Sequence, residues 1–121
     1  MAFHTNIEKN TLKNTYYRKV LMTTKNMQLV VMSLKPKAEI GLEKHKKIDQ
    51  FIRVEKGTGI AIITNNNDEV IQKIKLVDGS AIIIPKNTWH NIINTGYDKL
   101  KLYSIYSPPN HKPDTLQKNK N

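Results

Sequence analysis

An all-β fold, a closed barrel or a sandwich preceded by one short helix, is what this 121-residue sequence predicts. Two observations carry that prediction. Eight short segments rich in β-branched and aromatic residues follow one another from Lys19 to Tyr106, and turn signals separate them. Strands this short at such regular spacing must close on themselves or pack as two sheets to bury their apolar faces. The length fits one domain with a single hydrophobic core.

The elements follow in order. Thr5-Asn6-Ile7-Glu8 has the capping-box form, a hydroxyl residue with Glu three positions later, and predicts a helix over roughly 6 to 12. The strand candidates are "KVLMTT", "MQLVVMSL", "QFIRVEKG", "GIAIIT", "EVIQKIKLV", "SAIIIP", "HNIINT" and "LKLYSIY". Turns are marked by Lys35-Pro36, Gly57 and Gly59, Asn65-Asn66-Asn67-Asp68, Asp78-Gly79, Lys86-Asn87 and Thr95-Gly96. Between two strands, "TNNNDEV" reads as a hairpin tip. Residues 1 to 107 are expected to form the domain. Residues 108 to 121, in "SPPNHKPDTLQKNKN", are expected to be a Pro-containing, basic tail with a loose end. No internal repeat is present.

The formal charge is +10, which raises the possibility of a nucleic-acid partner. The surplus is nearly all lysine, with only Arg18 and Arg53 to supply the forked donor suited to phosphate and base edges. The lysines are scattered and rise together with Asn and Ile, as an AT-rich coding sequence would give. A solvated basic surface is therefore the expectation, and nucleic acid is not an expected partner. The absence of cysteine excludes disulfides, thiolate metal ligands and a cysteine nucleophile. No apolar run approaches the roughly 18 residues of a membrane span, and "MAFHTNIEKN" lacks the apolar core of a secretory signal. A soluble, cytoplasmic protein is expected.

Two stretches carry chemistry. In "DGSAIIIPKNTWHNIIN", Gly79 opens a tight turn, a buried strand follows, Pro85 ends it, and His90 and Asn94 come after. In "EIGLEKHKKIDQF", alternation along an extended strand would point Glu43 and His45 one way and Lys44 and Lys46 the other, into solvent. After a turn at Lys47-Ile48-Asp49, a returning strand would bring Gln50 alongside.

Together these stretches resemble the two motifs of the cupin superfamily. The first motif runs Gly, five residues, His-x-His, three or four residues, Glu, six residues, Gly. Here Lys37, Glu43, His45, Gln50 and Gly57 occupy those positions. The second runs Gly, five residues, Pro-x-Gly, two residues, His, three residues, Asn, and Gly79, Pro85, Asn87, His90 and Asn94 match it. Asparagine tolerates positive φ, so Asn87 is a mild change. Motif 1 thus spans about 37 to 57 and motif 2 about 79 to 94. The chain is also similar to small stand-alone cupins described as mannose-6-phosphate-isomerase-like or RmlC-like, notably in "DQFIRVEKGTG", "WHNIINTG" and "LKLYSIYSPPNH".

The resemblance implies a double-stranded β-helix, or jelly-roll barrel, and a homodimer. It implies Glu43, His45, Gln50 and His90 as ligands of a divalent metal ion, Fe, Mn, Ni or Zn. Gln50 offers only a neutral carbonyl oxygen, so holding a water is its other possible role. The implied function is a metal-dependent enzyme on a small sugar-like or carbonyl molecule, isomerase-like or dioxygenase-like. The alternative is a non-catalytic cupin that binds or senses a small ligand, with or without metal.

Among other residues, Tyr103 and Tyr106 lie on opposite faces of the last long strand and are candidate substrate contacts, one of them facing inward. His4 and His111 are expected to be exposed. Trp89 should face away from His90, into core or interface. Arg53 should lie at the surface, with Asp49 and Glu55 on the same face.

Overall fold

The computed structural model describes residues 1–120 and has the all-β architecture with one short helix. The helix α1 spans Ile7–Lys13. Its cap falls one residue later than Thr5: Asn6 Oδ1 accepts from Lys9 N at 2.9 Å, while Thr5 Oγ1 accepts from Asn10 Nδ2 at 3.1 Å. Asparagine is at least as good a cap as threonine, so the helix starts where the stronger acceptor sits.

The strands are β1 Arg18–Thr23, β2 Gln28–Leu34, β3 Asp49–Lys56, β4 Gly59–Thr64, β5 Val70–Leu76, β6 Ala81–Ile84, β7 Trp89–Asn94, β8 Leu100–Ser107 and β9 Leu116–Gln117. They form a six-stranded sheet in the order β6-β3-β8-β2-β1-β9 and a three-stranded sheet in the order β5-β4-β7, with every pairing antiparallel. The segment from Lys37 to His45 runs beside β7 without being a full strand. It is tied there by Lys37 N to Asn94 O, Ile40 N to Ile92 O and the Glu43–His90 bridge.

Register decides what faces inward, because directly opposed residues share a face. Across β3, β8 and β2 the inner rows are Gln50–Tyr106–Gln28, Ile52–Ser104–Val30 and Val54–Leu102–Met32. All of these side chains are buried, and the apolar ones belong to the core cluster that also holds Ala61, Leu76, Ile84 and Ile92. Each buried aliphatic side chain contributes about 1.5–3 kcal/mol of transfer free energy. One end of this box is therefore oily. The end bearing Gln50, Tyr106 and Gln28 is polar, and the site forms there. On the outer face, α1 lies against β2, β3 and β8.

The turns explain two motif positions. Lys37 and Asn87, which stand where the family motifs have glycine, adopt φ of 70° and 64°. The backbone keeps the left-handed turn even though the glycine is gone.

The tail, expected to have a loose end, is tied to the barrel as far as Lys118. β9 pairs with β1, Thr115 O accepts from Val20 N at 3.0 Å, and Lys118 O accepts from Tyr17 N at 3.2 Å. The fully buried Gln28 amide clamps the segment further up: Nε2 donates to His111 O at 2.7 Å, and Oε1 accepts from Asn110 N and His111 N at 3.1 and 2.9 Å. A polar sequence orders here because another strand satisfies its backbone. Among the described residues, no helix is long and apolar enough to cross a membrane.

Candidate metal centre

Three of the expected ligands come together. One ligand atom each from Glu43, His45 and His90 can be chosen so that all lie within 4.8 Å of one another. Glu43 Oε1 is 3.4 Å from both His45 Nε2 and His90 Nε2. β7 delivers His90, and the bridged segment delivers Glu43 opposite it. The alternation expected for that segment holds, with a correction for Lys44. It turns away from the site but not into solvent: its Nζ lies 5.1 Å from the centre of the Trp89 ring. Trp89 is half-buried under this cation rather than packed in the core.

The hydrogen bonds fix which atoms are free. His90 Nδ1 is 2.9 Å from Thr88 O, and a carbonyl only accepts, so Nδ1 carries the proton and Nε2 presents a lone pair. Gln50 Nε2 donates to Ser104 Oγ at 3.2 Å, leaving Oε1 without a partner. His45 Nε2 and His90 Nε2 are likewise buried without a protein hydrogen bond. An orphaned buried polar atom is costly, and two of these three, His45 Nε2 and His90 Nε2, lie beside the Glu43 carboxylate. Direct ion pairing with Glu43 is a poor remedy, because charge-assisted N–H···O bonds close to about 2.7–2.9 Å. A cation suits the Glu43 carboxylate and the His90 Nε2 lone pair that faces it.

Burial disfavours ionisation of Glu43, and only positive charge beside it, from protonated His45 and His90 or from a cation between them, outweighs that and holds the carboxyl down at about 2. Tyr106 is buried and its ring meets His45 edge-on at 5.9 Å. Burial first, then the charge of Glu43, pushes its hydroxyl up, so it stays protonated and can donate a hydrogen bond. Tyr103 does not join it. Its backbone register places it on the outer face, where its ring lies 6.2 Å from Phe51, so the strand's two-residue period removes it from the site. Arg53 lies on that outer face too, paired with Glu55.

His4 is exposed, as expected. His111 is not. Its ring packs edge-on against Tyr106 at 5.2 Å and is half-buried, and burial followed by the charge of Arg18 lowers it to about 4. Between pH 6.5 and about 4 the unfolded chain therefore binds a proton at this position that the folded chain refuses. Stability from this group is complete above 6.5 and is lost as pH falls through that window. His111→Gln should accordingly gain stability relative to the parent as pH drops across it, in urea melts at several pH values. Parallel pH profiles would contradict the assignment.

Gln28 and Arg18 were not singled out as site residues from sequence. The signal for Gln28 was its parity with Val30, Met32 and Leu34, which puts an amide on an otherwise apolar face.

Comparison with known proteins gives the family and the fold. Residues 30–106 match the family model described as "Cupin domain". Over 112 residues the chain is 52% identical to protein L612 of Acanthamoeba polyphaga mimivirus, covering 92% of this chain and 68% of that protein. It is 45% identical over 118 residues to YrkC of Bacillus subtilis, covering 98% of this chain and 63% of that protein. The crystal structure of BH2720 from Bacillus halodurans superposes with a TM-score of 0.96 at 42% identity, covering 99% of this chain and 91% of that one.

Proposed function

This chain belongs to the cupin domain family, and on that premise we propose that it is a metal-dependent cupin acting on a small polar molecule that carries a carbonyl or hydroxyl. The observation that carries the reading is the convergence of Glu43, His45 and His90, with the Nε2 atoms of both histidines buried and without a hydrogen-bond partner. Glu43, His45 and His90 would hold a divalent first-row ion, with Gln50 Oε1 as a weak further ligand or as the acceptor of a bound water. Such an ion supplies Lewis acidity that polarises a carbonyl or stabilises an enolate. That chemistry is shared by isomerase-like and dioxygenase-like reactions.

The remaining groups act by position. Thr88 O holds the His90 tautomer, Ser104 orients the Gln50 amide, and the protonated Tyr106 hydroxyl can donate to a ligand oxygen. Glu43 contributes the one negative charge among the four, so a divalent ion leaves the set net positive and receptive to an anionic ligand.

The test is metal content of untagged protein, followed by titration of the metal-free form with Fe²⁺, Mn²⁺, Ni²⁺ and Zn²⁺. One equivalent bound, with a rise in melting temperature that saturates, is expected. A folded protein that neither retains nor takes up any of the four would leave a metal-free binding module in its place.

A further inference from the structure

We propose that Arg18 anchors the acid group of this protein's ligand, so that the site takes a small carboxylate whose carbonyl or hydroxyl faces the histidines. The inference rests on the functional reading above for the ligand's orientation, not for the presence of the anion site.

Arg18 opposes Met32 in the β1–β2 register, and Met32 is fully buried in the core, so the arginine points to the inner side of the sheet. Its Cζ lies 5.1 Å from the centre of the Tyr17 ring, and Nη1 donates to Gln117 Oε1 at 2.6 Å. Its Nε is buried without a hydrogen-bond partner. No carboxylate among the described residues lies within 4.0 Å of it, whereas Arg53, the other arginine, is matched to Glu55. With Nη1 occupied by Gln117, the edge bearing Nε and Nη2 remains, and that edge accepts a carboxylate through two parallel N–H···O bonds.

The surroundings relate this edge to the metal centre. The charges of Arg18 and Glu43 both reach the Tyr106 hydroxyl, and that of Arg18 also reaches His111. Tyr106 in turn packs on both His45 and His111. Tyr106, which meets the His45 ring edge-on, thus also feels the charge of Arg18. An unmatched guanidinium favours an anionic ligand. An alcohol or a neutral sugar would leave Arg18 without a counter-charge.

The experiment follows the Arg18 Nε–Hε resonance of ¹⁵N-labelled full-length protein during titration with sodium pyruvate and with its neutral ester, methyl pyruvate. It is run on metal-free and on Zn²⁺-loaded protein. Pyruvate should shift the resonance saturably, with affinity in the millimolar range of a small single-site ligand, and the ester should not. Arg18→Lys should weaken pyruvate binding, followed through backbone amides, by about tenfold or more, since a bidentate contact becomes a point charge. Gln117→Ala should weaken it less, by freeing the guanidinium to move. Both variants should keep the parent's spectral dispersion and Zn²⁺ stoichiometry. An equal response to the ester, unchanged binding in Arg18→Lys, or no response up to about 50 mM pyruvate, well above millimolar affinity, would each overturn the proposal. If Zn²⁺ fails to bind, the metal reading falls, while the metal-free arm still decides Arg18.

Discussion

His90→Ala is expected to abolish metal binding while leaving the barrel folded. The imidazole is 2% exposed, its Nδ1 is committed to Thr88 O, and its Nε2 faces Glu43 Oε1. Removing it takes away the one histidine whose tautomer is fixed for coordination. Two opposing effects govern the metal-free variant. The lost ring leaves a cavity, which costs stability, but it also removes a buried nitrogen with no partner, which relieves a desolvation penalty of about 1–3 kcal/mol. The metal-free melting temperature should therefore move little. The large difference appears on adding metal. The parent should gain about 2.7 kcal/mol at a metal concentration one hundred times Kd, and the variant should gain nothing. Thermal melts with and without metal, together with elemental analysis, read both quantities. A variant that still binds one equivalent with the parent's affinity would remove His90 from the ligand set.

The largest loss of stability is expected from Gly57→Ala. Gly57 has φ of 99°, and an added Cβ would sit 2.7 Å from Lys99 O and 3.0 Å from Leu100 Cα, both backbone atoms that cannot swing aside. Left-handed strain costs about 1–3 kcal/mol and forced overpacking a similar amount, so a total near 3 kcal/mol or more is expected. For a domain of this size that is a fall of about 10 °C or more in Tm. Gly79 provides the control. Its φ is 89°, but nothing lies within 4 Å of its added Cβ, so Gly79→Ala should cost only the strain, about 1 kcal/mol. Calorimetry on the two variants separates close approach from conformational freedom. Equal losses would mean that the Lys99 backbone yields.

Much of this is legible in the sequence. The period of two in "GIAIIT" and "HNIINT", and the turn residues between segments, marked strands that the structure contains with ends shifted by a residue or so. Glu43, His45 and His90 were legible because their spacing is local to two short motifs, even with glutamate and lysine standing in for family residues. For Tyr103 and Tyr106, alternation says that they face opposite ways but not which way is in. The tail misled for a related reason. Composition reports that "SPPNHKPDTLQKNKN" cannot build a core of its own, yet it is silent about Gln28, whose amide holds the segment in place.

The sequence by itself determined the strands, the turns, the two motifs and the chemical types of the ligands, because each depends on residues close together in the chain. Only the tertiary structure decided that Gln50 Oε1 stands unpartnered, that His111 closes on Tyr106, and that Arg18 points inward without a counter-charge. These depend on partners supplied across sheets, and hydrogen-bond satisfaction and burial are properties of the assembled barrel.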